Sequence, residues 1–146
     1  MSILETIIEA RRRGDFDILT EAIPYARYLG VTATVTDGRL ITSLAYSPLN
    51  LGNPVLPAQH GGVVGAFLEL AATFELLWNL ECLTIPKTVN VSIDYLRPAA
   101  PVTSYARGSI TRFGRRVVNV RVEAWQEDEL RPIAQGHAHF LVVPTD

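Results

Sequence analysis

The sequence predicts an α+β domain in which a curved antiparallel sheet wraps one long, almost entirely apolar helix. Three observations carry that prediction. Residues 61–80, GGVVGAFLELAATFELLWNL, are hydrophobic around nearly the whole circumference of a helix, a pattern that means burial on all sides. Two alternating segments joined by Asp37-Gly38 precede them, and four more alternating segments follow. Covering a helix on all sides with strands requires the sheet to bend around it.

The chain length of 146 residues suffices for one core and falls short of two ordinary domains. Hydrophobic residues make up 48%, charged residues 19%, and the formal net charge is -2, which argues against both disorder and a nucleic-acid-binding surface. Cys82 is the single cysteine, so no intrachain disulfide framework exists and a reducing, cytoplasmic location is expected. The N-terminal MSILETIIEARRR places acids within its apolar stretch and arginines after it, the reverse of a secretory signal.

The elements follow in order. Residues 2–13 and 15–23 read as short amphipathic helices separated by Gly14, with Pro24 stopping the second. They make residues 1–25 an N-terminal helical extension to a domain spanning 26–146. From Tyr28 the period becomes two, with Leu29, Val31, Ala33 and Val35 alternating. The turn Thr36-Asp37-Gly38-Arg39 leads to a returning strand, Leu40–Tyr46. Residues 47–59 hold Pro48, Pro54 and Pro57 and read as an irregular loop. Residues 61–80 have the length of a membrane span, but Glu69 and Glu75 lie inside it and no positive flanks accompany it, so a core helix and no membrane are expected. Strands are then expected at Thr88–Leu96, Thr103–Thr111, Val117–Trp125 and Ile133–Val143, with turns at Phe113-Gly114 and Glu127-Asp128-Glu129.

Glu69 is the most informative residue. A carboxylate in the middle of an apolar helix costs several kcal/mol to desolvate unless something holds it there, and chemistry is one such reason. Thr73, four residues on, shares its helix face and is placed to hold the same carboxylate or a water. Glu75 lies roughly 120° around the axis and reads as a solvated or interface residue. Gly61 and Gly62 open the helix, where free N–H groups and the positive dipole end polarise a carbonyl. His137 and His139 alternate with Gln135 on one strand face; no third ligand is evident and no metal is expected. Cys82 reads as a small buried apolar residue.

A hairpin, a loop, His60-Gly61-Gly62 opening a long apolar helix, and an acid nine residues after the histidine together resemble the hotdog-fold acyl-CoA thioesterases. The resemblance is to the branch that includes phenylacetate-pathway and 4-hydroxybenzoyl-CoA-type enzymes. It covers about residues 26–143, and its specific motif runs from His60 to Thr73. It implies the hotdog fold and hydrolysis of an acyl-CoA thioester with no cofactor, CoA being part of the substrate. Glu69 falls at the position of the nucleophile or general base, and Thr73 at that of the helical Ser or Thr. Gly61, with Gly62, supplies the N–H that polarises the thioester carbonyl, and His60 orients the loop or contacts the thioester region. Many relatives carry Asn or Gln six residues before the histidine, where this chain has Pro54, so Asn50 or Asn53 is expected to substitute. Arg97 stands where another subset has a serine. Arg112, Arg115 and Arg116, at one hairpin tip, are placed either to contact CoA phosphates or to keep a sheet edge soluble. Phe67, Phe74 and Trp78 either line an acyl pocket or belong to the core.

Gly61 and Glu69 are eight residues apart, about 12 Å along a continuous helix, too far for both to touch one scissile carbon. Two copies across a two-fold axis bring Gly61 of one towards Glu69 of the other, so a homodimer, with tetramer formation open, is expected. Two rivals remain at this level: a dehydratase or hydratase on the same fold, and a non-catalytic acyl-CoA-binding protein. Release of free thiol separates the enzyme from the binder.

Overall fold

The computed structural model describes residues 1–79 and 85–142. Helix α1 (Ile3–Arg13) opens with a Ser2/Glu5 capping box and closes on Gly14 in the left-handed conformation. Helix α2 (Asp17–Ala22) follows, and Pro24 opens a third helix, α3 (Pro24–Leu29), where only a stop was expected. The fixed φ of proline suits the first position of a helix as well as it ends the one before. The strand pattern expected from Tyr28 therefore begins only after Gly30, at β1 (Val31–Thr36).

Strand β2 (Arg39–Leu44) pairs with β1 through the Asp37-Gly38 turn, both of whose residues have positive φ, 52° and 72°. The expected irregular loop contains a 3-10 turn, Pro48–Asn50, and a small two-stranded sheet of β3 (Leu51–Asn53) with β4 (Ala58–Gln59). Helix α4 (Gly61–Asn79) is followed by β5 (Lys87–Tyr95), β6 (Ser104–Phe113), β7 (Val117–Trp125) and β8 (Ala134–Leu141). Leu80, Cys82 and Val143 lie outside the described residues.

The main sheet has six antiparallel strands in the order β1-β2-β6-β7-β8-β5, so β1 and β5 are its edges. Its inner face carries Ala106, Val118, Val120, Val122, Ala124, Ala138 and Phe140, all buried. The small residues among them let the sheet close on α4, whose Phe67, Leu68, Phe74, Leu76 and Leu77 are fully buried. Each such side chain contributes about 1.5–3 kcal/mol of burial. Phe67 and Phe74 are thus core residues, while Trp78 is partly exposed and meets Phe16 edge-on with ring centroids 5.6 Å apart. Helix α4 is long and apolar enough to cross a membrane by composition, but half of that stretch is buried inside the protein.

Candidate active site

The start of α4 is built from the His60 backbone outward. The His60 carbonyl accepts from the Val63 and Val64 N–H groups, and its N–H donates to the Asn50 carbonyl at 2.7 Å. The ring adds a cap: Nδ1 accepts from the Gly62 N–H at 2.8 Å, which in the neutral ring puts the proton on Nε2. Gly62 is glycine for this reason, since a Cβ would stand 3.0 Å from that Nδ1. Gly52 allows the loop to press on His60, with a virtual Cβ 2.7 Å from the His60 Cα.

With Gly62 occupied by its neighbour, Gly61 presents the free donor: its N–H has no hydrogen-bond partner among the described residues. Tyr95 Oη donates to the Gly61 carbonyl at 2.7 Å and its ring fills the space a Cβ would need. Beside Gly61 opens a cleft of about 360 Å³ walled by Leu56, Ala58, Val64, Leu96 and Ile133, with Gln59 and Arg97 its polar members. The arrangement is a backbone donor at a positive helix end facing an apolar hollow.

Glu69 sits two turns further along the helix and is half-buried. Its Oε1 accepts from Thr88 Oγ1 at 2.7 Å. Thr73 does not share that carboxylate: its buried hydroxyl donates to the Glu69 backbone carbonyl at 2.9 Å, the back-bonding that a helical threonine makes readily. Thr88 is the partner that strict alternation concealed, since alternation groups it with Asn90 on the outer face. The register shifts between Thr88 and Asn90, so Thr88 stands opposite Phe140 on the inner face while Asn90 stands opposite His139 on the outer one. A bulge turns the residue over, and no pattern in the sequence marks it.

The two expected asparagines are used differently. Asn53 Oδ1 accepts from the Val55 and Leu56 N–H groups, both at 3.0 Å, and so holds a turn. Asn50 contributes its carbonyl to His60, and its side chain makes no hydrogen bond among the described residues. Glu75 faces β6, where only glycine at 108 leaves room: a Cβ there would lie 2.8 Å from the Glu75 Cβ. Burial raises its pKa, opposed by the Asn79 amide, 2.7 Å from Oε1, and by the charge of Arg107. It is therefore partly buried against the sheet, which departs from the solvated half of the solvated-or-interface expectation.

Arg112, Arg115 and Arg116 surround a cleft of about 540 Å³ together with Asn119 and His139. All three are exposed and form no ion pair among the described residues. On the outer face Arg112 stands opposite Asn119, Asn119 opposite His139, and His139 opposite Asn90, whose Oδ1 lies 2.6 Å from His139 Nδ1. Asn90 is two residues from Thr88, so the arginine cleft and the Glu69 carboxylate share one end of β5. Gly61 and its apolar cleft share the other, at Tyr95.

Comparison with known proteins agrees with this architecture. The model of the thioesterase superfamily matches residues 58–133, more than half of the chain, from β4 to the residue before β8. The medium/long-chain acyl-CoA thioesterase YigI of Salmonella typhimurium is 28% identical over 135 residues, covering 82% of this chain and 86% of that one. A protein of Chromobacterium violaceum has a crystal structure with TM-score 0.78 and 37% identity, covering 97% of this chain and 99% of that one. A phenylacetic acid degradation-related protein of Ralstonia eutropha aligns with TM-score 0.73 and 28% identity over 87% of this chain and 98% of its own. With a six-stranded sheet wrapped on an HGG-initiated helix and a family match across its centre, the chain belongs to the thioesterase superfamily and has the hotdog fold.

Proposed function

We propose that the chain hydrolyses acyl-CoA thioesters at a site shared by two copies, Gly61 of one facing Glu69 of the other. The observation that carries this reading is the division of parts along one rigid helix. Gly61, with its free N–H and apolar cleft, and Glu69 are separated by about 12 Å of rise along the helix axis, so neither end is a complete thioesterase site. Support for a second copy comes from β5, an edge strand on which Val89 is 61% and Tyr95 55% exposed. An unpaired edge strand is a ready template for another strand, and a two-fold axis there sets the helices antiparallel.

In such a site the thioester carbonyl oxygen accepts from the Gly61 N–H, and the negative charge that develops on it is stabilised by that donor and the helix end. Glu69 either takes the proton of an attacking water or attacks the carbonyl carbon itself. Water then hydrolyses the anhydride formed by the second route. In both, the C–S bond breaks, CoA leaves as the thiolate and is protonated by solvent, and the free acid remains. Thr88 holds the Glu69 carboxylate in place. Arg112, Arg115 and Arg116, at the Glu69 end, attract the CoA phosphates. The apolar cleft at the other end suits an acyl chain, and the relatives named for medium- and long-chain acyl-CoA support that class.

Thiol release from a panel of short, medium, long and aryl acyl-CoAs tests the reading. Turnover on one class that falls at least about a hundredfold in Glu69→Gln, as loss of a general base or nucleophile requires, is the expected result. Undiminished turnover in that variant removes Glu69 from the mechanism.

A further inference from the structure

Gln59 enters α4 just ahead of His60, is 6% exposed, and lies in the wall of the cleft beside Gly61. Its Nε2 donates to the Ala100 carbonyl at 2.7 Å and to the Val102 carbonyl at 3.1 Å. Two carbonyl acceptors at one terminal atom fix the amide orientation, because only the NH₂ can face them. The remaining atom, Oε1, is therefore an oxygen; it is buried and has no partner among the described residues. A buried amide oxygen without a donor is uncommon and destabilising.

Anchoring the 100–102 segment does not explain the residue fully. Gln126 Nε2 already donates to the Ala100 carbonyl at 2.9 Å, and Gln126 Oε1 accepts from the Ala100 N–H at 3.0 Å. The two other side chains of the cleft that carry donors are used elsewhere, Arg97 donating to the Pro132 carbonyl and Tyr95 to the Gly61 carbonyl, and neither hydrogen-bonds the Gln59 oxygen. The cleft wall thus carries an unused donor, the Gly61 N–H, and, beneath its surface, an unused acceptor, Gln59 Oε1, two residues apart along the chain. A ligand with a carbonyl and a nearby N–H or O–H complements both.

Resting on the reading that the thioester carbonyl sits at the Gly61 N–H, we propose that Gln59 Oε1 accepts a hydrogen bond from the substrate and selects thioesters bearing an N–H or O–H donor near the carbonyl. Such a donor comes from one of two places: a hydroxyl on the acyl chain close to the carbonyl, or the amide N–H of the cysteamine arm beside the sulfur. Gln59 is then a specificity-determining residue. Its side chain reaches the substrate itself instead of acting through Gly61.

Two substrate pairs separate the sources. The first is a 3-hydroxyacyl-CoA against the same acyl-CoA without the hydroxyl. The second is an acyl-N-acetylcysteamine thioester against the analogue in which an ester oxygen replaces the amide N–H. The wild-type chain is expected to prefer the donor-bearing member of one pair in kcat/KM by about tenfold, equivalent to about 1.4 kcal/mol. Gln59→Met removes the acceptor and abolishes the preference. Gln59→Glu, assayed at a pH where its buried carboxyl is protonated, donates to the Ala100 carbonyl, keeps a carbonyl acceptor and retains the preference. Turnover of unsubstituted acyl-CoA with no preference in either pair overturns this inference alone and leaves the oxygen to a bound water. A preference that survives Gln59→Met assigns the donor to another group and also overturns it. Absence of turnover on every substrate defeats the thioesterase reading and this inference together.

Discussion

Replacing Thr88 with valine removes one hydroxyl while keeping the β-branched shape of the side chain. The hydroxyl donates to Glu69 Oε1 at 2.7 Å, and that is the one side-chain hydrogen bond the carboxylate makes among the described residues. Hydrogen bonds to charged groups contribute about 1.5–3 kcal/mol when shielded. Thr88 is exposed and Glu69 half-buried, so water competes for both partners and roughly 1 kcal/mol is the appropriate figure. If Thr88 aligns the carboxylate for attack, that energy appears in kcat as a roughly five- to tenfold loss, with KM nearly unchanged. Steady-state thiol release measures both constants. Thr88→Ser restores kcat because it keeps the donor. Thr88→Val on top of Glu69→Gln costs nothing further, since the hydroxyl acts through the carboxylate. Full kcat in Thr88→Val, or losses that multiply in the double variant, refutes the alignment role.

Two further predictions concern the sheet side of α4. Burial raises the folded-state pKa of Glu75 above its unfolded value, so the folded chain binds that proton more tightly than the unfolded one. The contribution of Glu75 to stability is therefore greatest below the unfolded pKa and is lost as pH rises through the folded pKa. Glu75→Gln, which still accepts from Asn79, gains Tm relative to wild type by more at about pH 7 than at about pH 4. A Tm difference independent of pH contradicts this. In Gly108→Ala the new methyl group meets the Glu75 Cβ at 2.8 Å and Val120 Cγ1 at 3.3 Å, an overpacking that costs about 1–3 kcal/mol and lowers Tm by several degrees. An unchanged Tm shows that β6 and α4 are not in tight contact there.

Much of this architecture is legible because single residues force single outcomes. An apolar circumference forces α4 inside, and Asp37-Gly38, both able to adopt positive φ, force the β1–β2 turn. The nine-residue spacing from His60 to Glu69 places donor and carboxylate on one rigid element. The features that escaped depend on contacts between segments. Thr88 reaches Glu69 only because a bulge reverses its side, and a bulge leaves no trace in the alternation. Thr73 had two acceptors within reach, carboxylate and backbone carbonyl, and spacing alone does not choose between them. Pro24 carried two meanings, stop and start, and the chain uses both, ending α2 before it and opening α3 on it. The role of Gln59 emerges only when residues 100–102 fold back upon it.

The central claim, that Gly61 and Glu69 act across two copies, is tested most directly by complementation. Glu69→Gln removes the carboxylate, and Gly61→Pro removes the N–H at the first helix position, where the backbone accepts proline and the Tyr95 ring, 3.3 Å from the new Cβ, has to shift by a few tenths of an ångström. Each variant alone is expected to be inactive. When the two are denatured together and refolded, or coexpressed, half of the dimers are mixed, and each mixed dimer carries one site with both native groups. Thiol release should then recover to about a quarter of the wild-type rate. Mixtures that stay as inactive as their components, while mass measurement shows that mixed dimers have formed, would place both residues of each site in one chain and contradict the account.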